Sequence, residues 1–153
     1  MSRFQRQSSS MMTPNEWAER WYQELWNESR EDAIDELFAE DGVIQGGPAG
    51  PIRGREAMRD YHRRMTATFS EIDVVINQSM EWGSSAQLRY FLNVTHRHTG
   101  HRAGLECATW IQLEEGQLIE GRSYIDYLGL LQQLGLVPED YFLRTLAADA
   151  DPR

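Results

Sequence analysis

After Ser70 the hydrophobic repeat of this chain changes from 3.6 residues to 2, and that switch limits the available folds more than any other feature. Before it, apolar positions recur at helical spacing. Thr13-Pro14-Asn15-Glu16 supplies a hydroxyl cap, a proline for the first helical position and an early carboxylate. Trp17, Trp21 and Leu25 follow at helical intervals, with Tyr22 and Trp26 beside them. A shorter helix is expected over 31–39, where Ile34, Leu37 and Phe38 share a face. A third is expected over 54–69, with Met58, Tyr61, Met65 and Phe69 inward. Between these, Val43-Ile44 reads as a short strand and Gly46-Gly47-Pro48-Ala49-Gly50-Pro51 as a loop. Beyond the switch, 72–82, 87–98, 102–113 and 118–127 read as four long strands. Turn signals at Gly83-Ser84-Ser85, Thr99-Gly100 and Glu115-Gly116 separate them, and a last helical pattern over 128–134 stops at Gly135. Helices followed by a meander of long strands spell an α+β fold, with the helices on one face of a curved sheet.

The 153 residues, 41% of them hydrophobic, suffice for one core, and no linker or repeat divides them. Residues 1–12 are expected as a loose tail, 13–136 as the domain, and 137–153 as an extension carrying a short helix after Val137-Pro138-Glu139-Asp140. A net charge of −9 repels phosphate backbones and argues against a nucleic-acid partner. No apolar run is long enough to span a membrane, and the polar start lacks the core of a secretory signal, so a cytoplasmic protein is expected. All 15 basic residues are arginine, which excludes lysine Schiff-base chemistry and a lysine-held pyridoxal cofactor. The lone Cys107 has no disulfide partner in the chain and in mid-strand reads as a small buried hydrophobe.

Tight turns predict which strand residues share a wall. If Glu115-Gly116 is a two-residue turn, Leu113 faces Leu118, Thr109 lies beside Arg122, Cys107 beside Tyr124 and Leu105 beside Asp126. A tight turn at Thr99-Gly100 sets Tyr90 beside Thr109, Leu92 beside Cys107 and Val94 beside Leu105. One face then collects Tyr90, Leu92, Val94, His96, Leu105, Cys107, Thr109, Arg122, Tyr124 and Asp126, an apolar wall with a few polar groups, as in a small-molecule pocket. Trp21 and Tyr61 join it from the helices. The opposite face holds Arg89, Asn93, Arg97, Glu106, Trp110 and Gln112. A one-residue slip in either turn exchanges the faces.

The segments Ile34-Asp-Glu-Leu-Phe-Ala-Glu-Asp41, Gly54-Arg-Glu-Ala-Met58, Gly116-Gln-Leu-Ile-Glu120 and Asp126-Tyr-Leu-Gly-Leu-Leu-Gln-Gln-Leu-Gly135 resemble the SnoaL-like polyketide cyclases. These belong to the superfamily of nuclear transport factor 2 and ketosteroid isomerase. The resemblance spans about 17–136. It implies a strongly curved antiparallel sheet wrapped around N-terminal helices, a cone-shaped α+β barrel whose open end takes an apolar ligand. It also implies a homodimer through the convex face of the sheet, where Trp110 would otherwise meet water. Asp126 falls at the family's strand-end aspartate, the general acid/base of the cyclases. Arg122 stands where the family usually has Trp, and Thr109 where many cyclase-like chains have His.

Three functional readings follow. The first is a cofactor-independent cyclase or isomerase acting on an apolar carbonyl compound. Asp126 would move the proton, Tyr90 or Tyr124 would hold the oxyanion, and Arg122 would be the nearby cation. The second is a non-catalytic dimeric small-molecule binder, with Asp126 capping the helix that follows it. Epoxide hydrolysis ranks third, since it needs a second aspartate on this face. His96-Arg97-His98-Thr99-Gly100-His101 places three imidazoles near a hairpin tip, but no acidic residue follows at a ligand spacing. No metal site is assigned to them.

Overall fold

The computed structural model describes residues 11–148. Of the tail expected over 1–12, residues 1–10 lie outside them, whereas Met12 packs against the core. Helix α1 (Pro14–Arg20) starts at Thr13, whose Oγ1 accepts the Glu16 N–H at 3.1 Å. It runs directly into a π-helix over Trp21–Asn27. Helix α2 (Ala33–Leu37) is shorter than expected, because Phe38 already opens strand β1 (Phe38–Gln45). After the 46–51 loop, a two-residue strand β2 (Ile52–Arg53) leads into α3 (Gly54–Thr68). Strands β3 (Phe69–Trp82), β4 (Ser85–His96), β5 (Arg102–Glu114) and β6 (Gln117–Tyr124) form the meander. Helix α4 (Tyr127–Gln133) follows, and α5 (Tyr141–Ala148) lies in the extension.

The sheet has six strands in the order β2-β1-β6-β5-β4-β3. It is mixed rather than wholly antiparallel, because β1 pairs with β6 in parallel, and it does not close. Bulges in β3, between Phe69 and Glu71 and again between Ile76 and Gln78, bend the sheet around the helices.

The core sits between the helices and the concave face. Trp17 is 1% exposed and donates Nε1–H to the Leu37 carbonyl at 2.9 Å. Its ring stacks on Trp21, which in turn stacks on Phe38. The Asn27 side chain exchanges two hydrogen bonds with the Val74 backbone, fastening the end of the π-helix to β3 as a strand partner would. Arg97 donates to the Thr66, Ala67 and Phe69 carbonyls, satisfying the end of α3. Helix α5 buries none of its side chains, and Gln132 tethers the chain before it by donating to the Pro138 and Glu139 carbonyls. Among the described residues, no helix is long and apolar enough to cross a membrane.

One buried polar group makes stability depend on pH. His62 on α3 is 3% exposed; Nε2–H is positioned to donate to the Leu25 carbonyl at 2.9 Å, and Nδ1 has no partner. Burial pushes its pKa below the ordinary 6.5, against smaller raising contributions from the Leu25 carbonyl and Glu31. As pH falls through 6.5 the unfolded chain takes up this proton and the folded chain resists it. Stability therefore drops on acidification and is regained toward neutral pH. Urea midpoints at pH 7 and pH 5.5 should differ in the wild type, and the difference should shrink in His62→Gln.

Candidate functional site

An α-helix would place residues five apart about 140° from one another around its axis. The π-helix hydrogen-bonds five residues back, as in Glu28 N–H to the Gln23 carbonyl at 2.9 Å, and brings Trp21 and Trp26 to one side. With Tyr22 they form one wall of a cavity. Helix α3 adds Met58, Tyr61 and Met65, and β3 adds Phe69, Ile72 and Val74. Strand β4 adds Tyr90, Leu92 and Val94; Ile44, Gly46, Gly47 and Ile52 come from β1, the loop and β2. Ser123, Ile125 and Tyr127 close the remaining side. The cavity measures about 100 Å³. No Asp, Glu, His or Arg is among these residues.

Besides the indole N–H groups of Trp21 and Trp26, its polar side-chain groups are hydroxyls. Tyr22 donates to Thr109 Oγ1 at 3.2 Å, and Thr109 Oγ1 lies 3.3 Å from Ser123 Oγ at the cavity wall. The Tyr90 ring packs 4.7 Å from that of Tyr22. Burial pushes the Tyr22 pKa up to about 12, and it raises those of Tyr61, Tyr90 and Tyr127 as well. These phenols stay protonated at neutral pH and serve as donors, not bases. Burial likewise holds the Cys107 thiol at about 11, too high for a thiolate nucleophile. At the mouth, Tyr127 donates to the Gly46 carbonyl at 2.8 Å and ties the 46–51 loop to the start of α4.

The structure brings together five of the expected wall residues: Trp21, Tyr61, Tyr90, Leu92 and Val94 all line the cavity. Leu105, Cys107 and Thr109 point to the same side but lie buried beneath its surface. The Thr99-Gly100 turn is longer than expected: His96 N–H bonds the His101 carbonyl across four intervening residues, and Tyr90 pairs with Cys107 instead of Thr109. A shift of two keeps every side chain on its face.

The β5–β6 pairing differs by one residue, and there the faces change. Leu113 does face Leu118, but Gln112 then pairs with Glu120, which leaves Ile119 as a bulge. Thr109 consequently lies beside Ser123 instead of Arg122, and Ala108 beside Tyr124. Arg122 and Tyr124 face outward into a shallow cleft with Arg89, Trp110 and Met80. Asp126 does not reach Leu105, because β6 ends at Tyr124. It is exposed and is the N-cap of α4, Oδ1 accepting the Gly129 N–H at 2.8 Å. Ser123, Ile125 and Tyr127 occupy the wall in place of these three. Gly121, a glycine inside the strand two residues beyond the bulge, was the one sequence signal that could have located it.

The histidines do not converge. His96 Nδ1 meets Thr99 Oγ1 at 2.9 Å, and His101 Nδ1 is 3.0 Å from the Leu134 carbonyl. Among the described residues no group of three or more His, Cys, Asp or Glu side chains could hold a metal ion.

The family model of the SnoaL-like domain matches residues 18–121. The chain belongs to the SnoaL-like family. No curated protein matches it in sequence. Solved structures share the fold of this SnoaL-like domain at low identity. A candidate SnoaL-like polyketide cyclase from Jannaschia sp. CCS1 is 18% identical over 82% of this chain and 93% of its own, with a TM-score of 0.73. A Catenulispora acidiphila protein of ketosteroid isomerase-like fold, crystallised with trimethylamine, is 21% identical over 82% and 96%, also at 0.73. IdmH, a candidate polyketide cyclase from Streptomyces antibioticus, is 21% identical over 81% and 99%, at 0.72. The α+β architecture with a ketosteroid isomerase-like sheet is thus common to this domain and these proteins.

Proposed function

We propose that this SnoaL-like domain binds an apolar small molecule bearing a carbonyl or similar acceptor. One observation carries the reading: the cavity is walled by aromatic and aliphatic side chains, with hydroxyls and two indole N–H groups as its polar side-chain groups and no Asp, Glu, His or Arg among its described lining. Tyr22 donates to Thr109; if Thr109 donates onward, the Ser123 proton is left for a ligand oxygen. Calorimetric titration with short methyl ketones tests the reading. Ser123→Ala should weaken binding about three- to tenfold, the worth of one ordinary hydrogen bond. Leu92→Trp, which fills the cavity, should abolish it. Equal binding to wild type and Leu92→Trp would sink the proposal.

Proton transfer by Asp126 is the second reading, supported by membership of the SnoaL-like family and by the likeness of the fold to candidate polyketide cyclases. Asp126→Asn keeps an oxygen for the Gly129 cap and removes the titrating carboxyl. Turnover of a ketosteroid or poly-β-keto ester panel by wild type and not by Asp126→Asn would establish acid–base catalysis. No turnover by either favours binding.

We also propose a homodimer through the outer face of the sheet, where Val75, Met80, Phe91 and Tyr124 are exposed and Met80 and Tyr124 share a cleft with Trp110. Light scattering at micromolar concentration should give twice the chain mass, and a monomer mass would refute the assignment. A cytoplasmic setting suits a chain whose single cysteine is buried and free.

A further inference from the structure

The cone is small for a ligand site. Its volume of about 100 Å³ falls below the roughly 300–1000 Å³ of sites that hold drug-sized molecules. Directly outside it, between the 46–51 loop and α3, runs a groove of about 270 Å³. Pro48, Ala49, Pro51 and Ala57 give it apolar walls, and Asp60 and Arg64, four residues apart on α3, also line it. The two spaces share three side chains, Ile52, Tyr61 and Met65, each of which lines both. These side chains are the partition between them. Met65 is unbranched and turns about three bonds, so it can move aside at little cost. The loop above the partition is itself held to the cone by the hydrogen bond from Tyr127 to Gly46.

We infer that cone and groove are two chambers of one site, and that its ligand is elongated. The acceptor-bearing head occupies the cone beside Ser123, and an unbranched apolar tail passes the Ile52–Tyr61–Met65 partition to lie along Pro48, Ala49 and Ala57. A compact ligand fills only the first chamber; a long one draws added affinity from the second. This rests on the reading of the cone as a carbonyl-binding cavity and specifies the shape of what it binds.

A homologous series of methyl ketones from 2-butanone to 2-decanone, titrated into the full chain, tests the inference. Each methylene that enters an apolar chamber should tighten binding about three- to fourfold, and the rise should continue through 2-decanone. In Ala57→Phe, and independently in Ala49→Trp on the exposed loop, the series should level off, so that 2-decanone binds no more tightly than 2-hexanone. Circular dichroism verifies that each variant is folded. A wild-type series that levels off at 2-hexanone overturns the second chamber and leaves the cone reading standing. So does a rise that persists unchanged in both folded variants. If no ketone binds, the cone reading fails first and the inference falls with it.

Discussion

Replacing Trp17 with alanine should cost this domain about 3–5 kcal/mol, a large part of the 5–15 kcal/mol that typically separates folded from unfolded chains. Three losses combine. The side chain is 1% exposed, so its removal opens a void among Leu37, Phe38 and Trp21. The Leu37 carbonyl loses the indole N–H that satisfies it. Trp21 loses the ring stacked 5.1 Å away, and Trp21 is a wall of the cavity, so ligand binding should weaken together with stability. The melting temperature should fall by roughly 6–20 °C, followed by far-UV circular dichroism because the substitution removes a fluorophore. Trp82→Ala is the control: Trp82 is 90% exposed at the β3–β4 turn and should shift stability by no more than about 0.5 kcal/mol. Similar losses at the two positions would refute this account of the core.

The second large effect belongs to Gly46. Its φ of +84° lies in the left-handed region, and a Cβ there would overlap the backbone carbonyl of Ser123. Gly100 has a similar φ of +74° but open space around it. Gly100→Ala should therefore cost only the backbone strain, about 1–2 kcal/mol. Gly46→Ala should cost that and more, because the loop must lift off β6 and give up the Tyr127 hydrogen bond. A total near 3 kcal/mol is expected from denaturant unfolding, with faster amide exchange over 46–51. Equal costs for the two alanine variants would show that contact with β6 does not hold the loop.

Most of the fold was legible in the residues. Thr13-Pro14 marks the first helix, and the period of 2 after Ser70 marks the strands, because capping chemistry and alternation are local and leave a local trace. The inner face of β4 and β5 was legible too. Tyr90, Val94, Leu105 and Cys107 are buried and alternate with less buried neighbours, and the two-residue error in the β4–β5 turn left that alternation intact.

The remainder required the folded chain. Composition and order alone determined the α+β class, the apolar inner wall, the absence of lysine chemistry and the resemblance that places this chain in the SnoaL-like family. Tertiary structure decided which residues of β6 face the cavity. One bulge at Ile119 turns Arg122 and Tyr124 outward and Ser123 and Ile125 inward, and Asp126 becomes the cap of α4. It also decided the π-helical turn that gathers Trp21 and Trp26, and the parallel contact of β1 with β6. Each depends on how distant segments meet, since a bulge or a widened helical turn is selected by packing against a partner strand or wall. A repeat read along the chain gives the side chains on each face but not the residue at which the faces exchange.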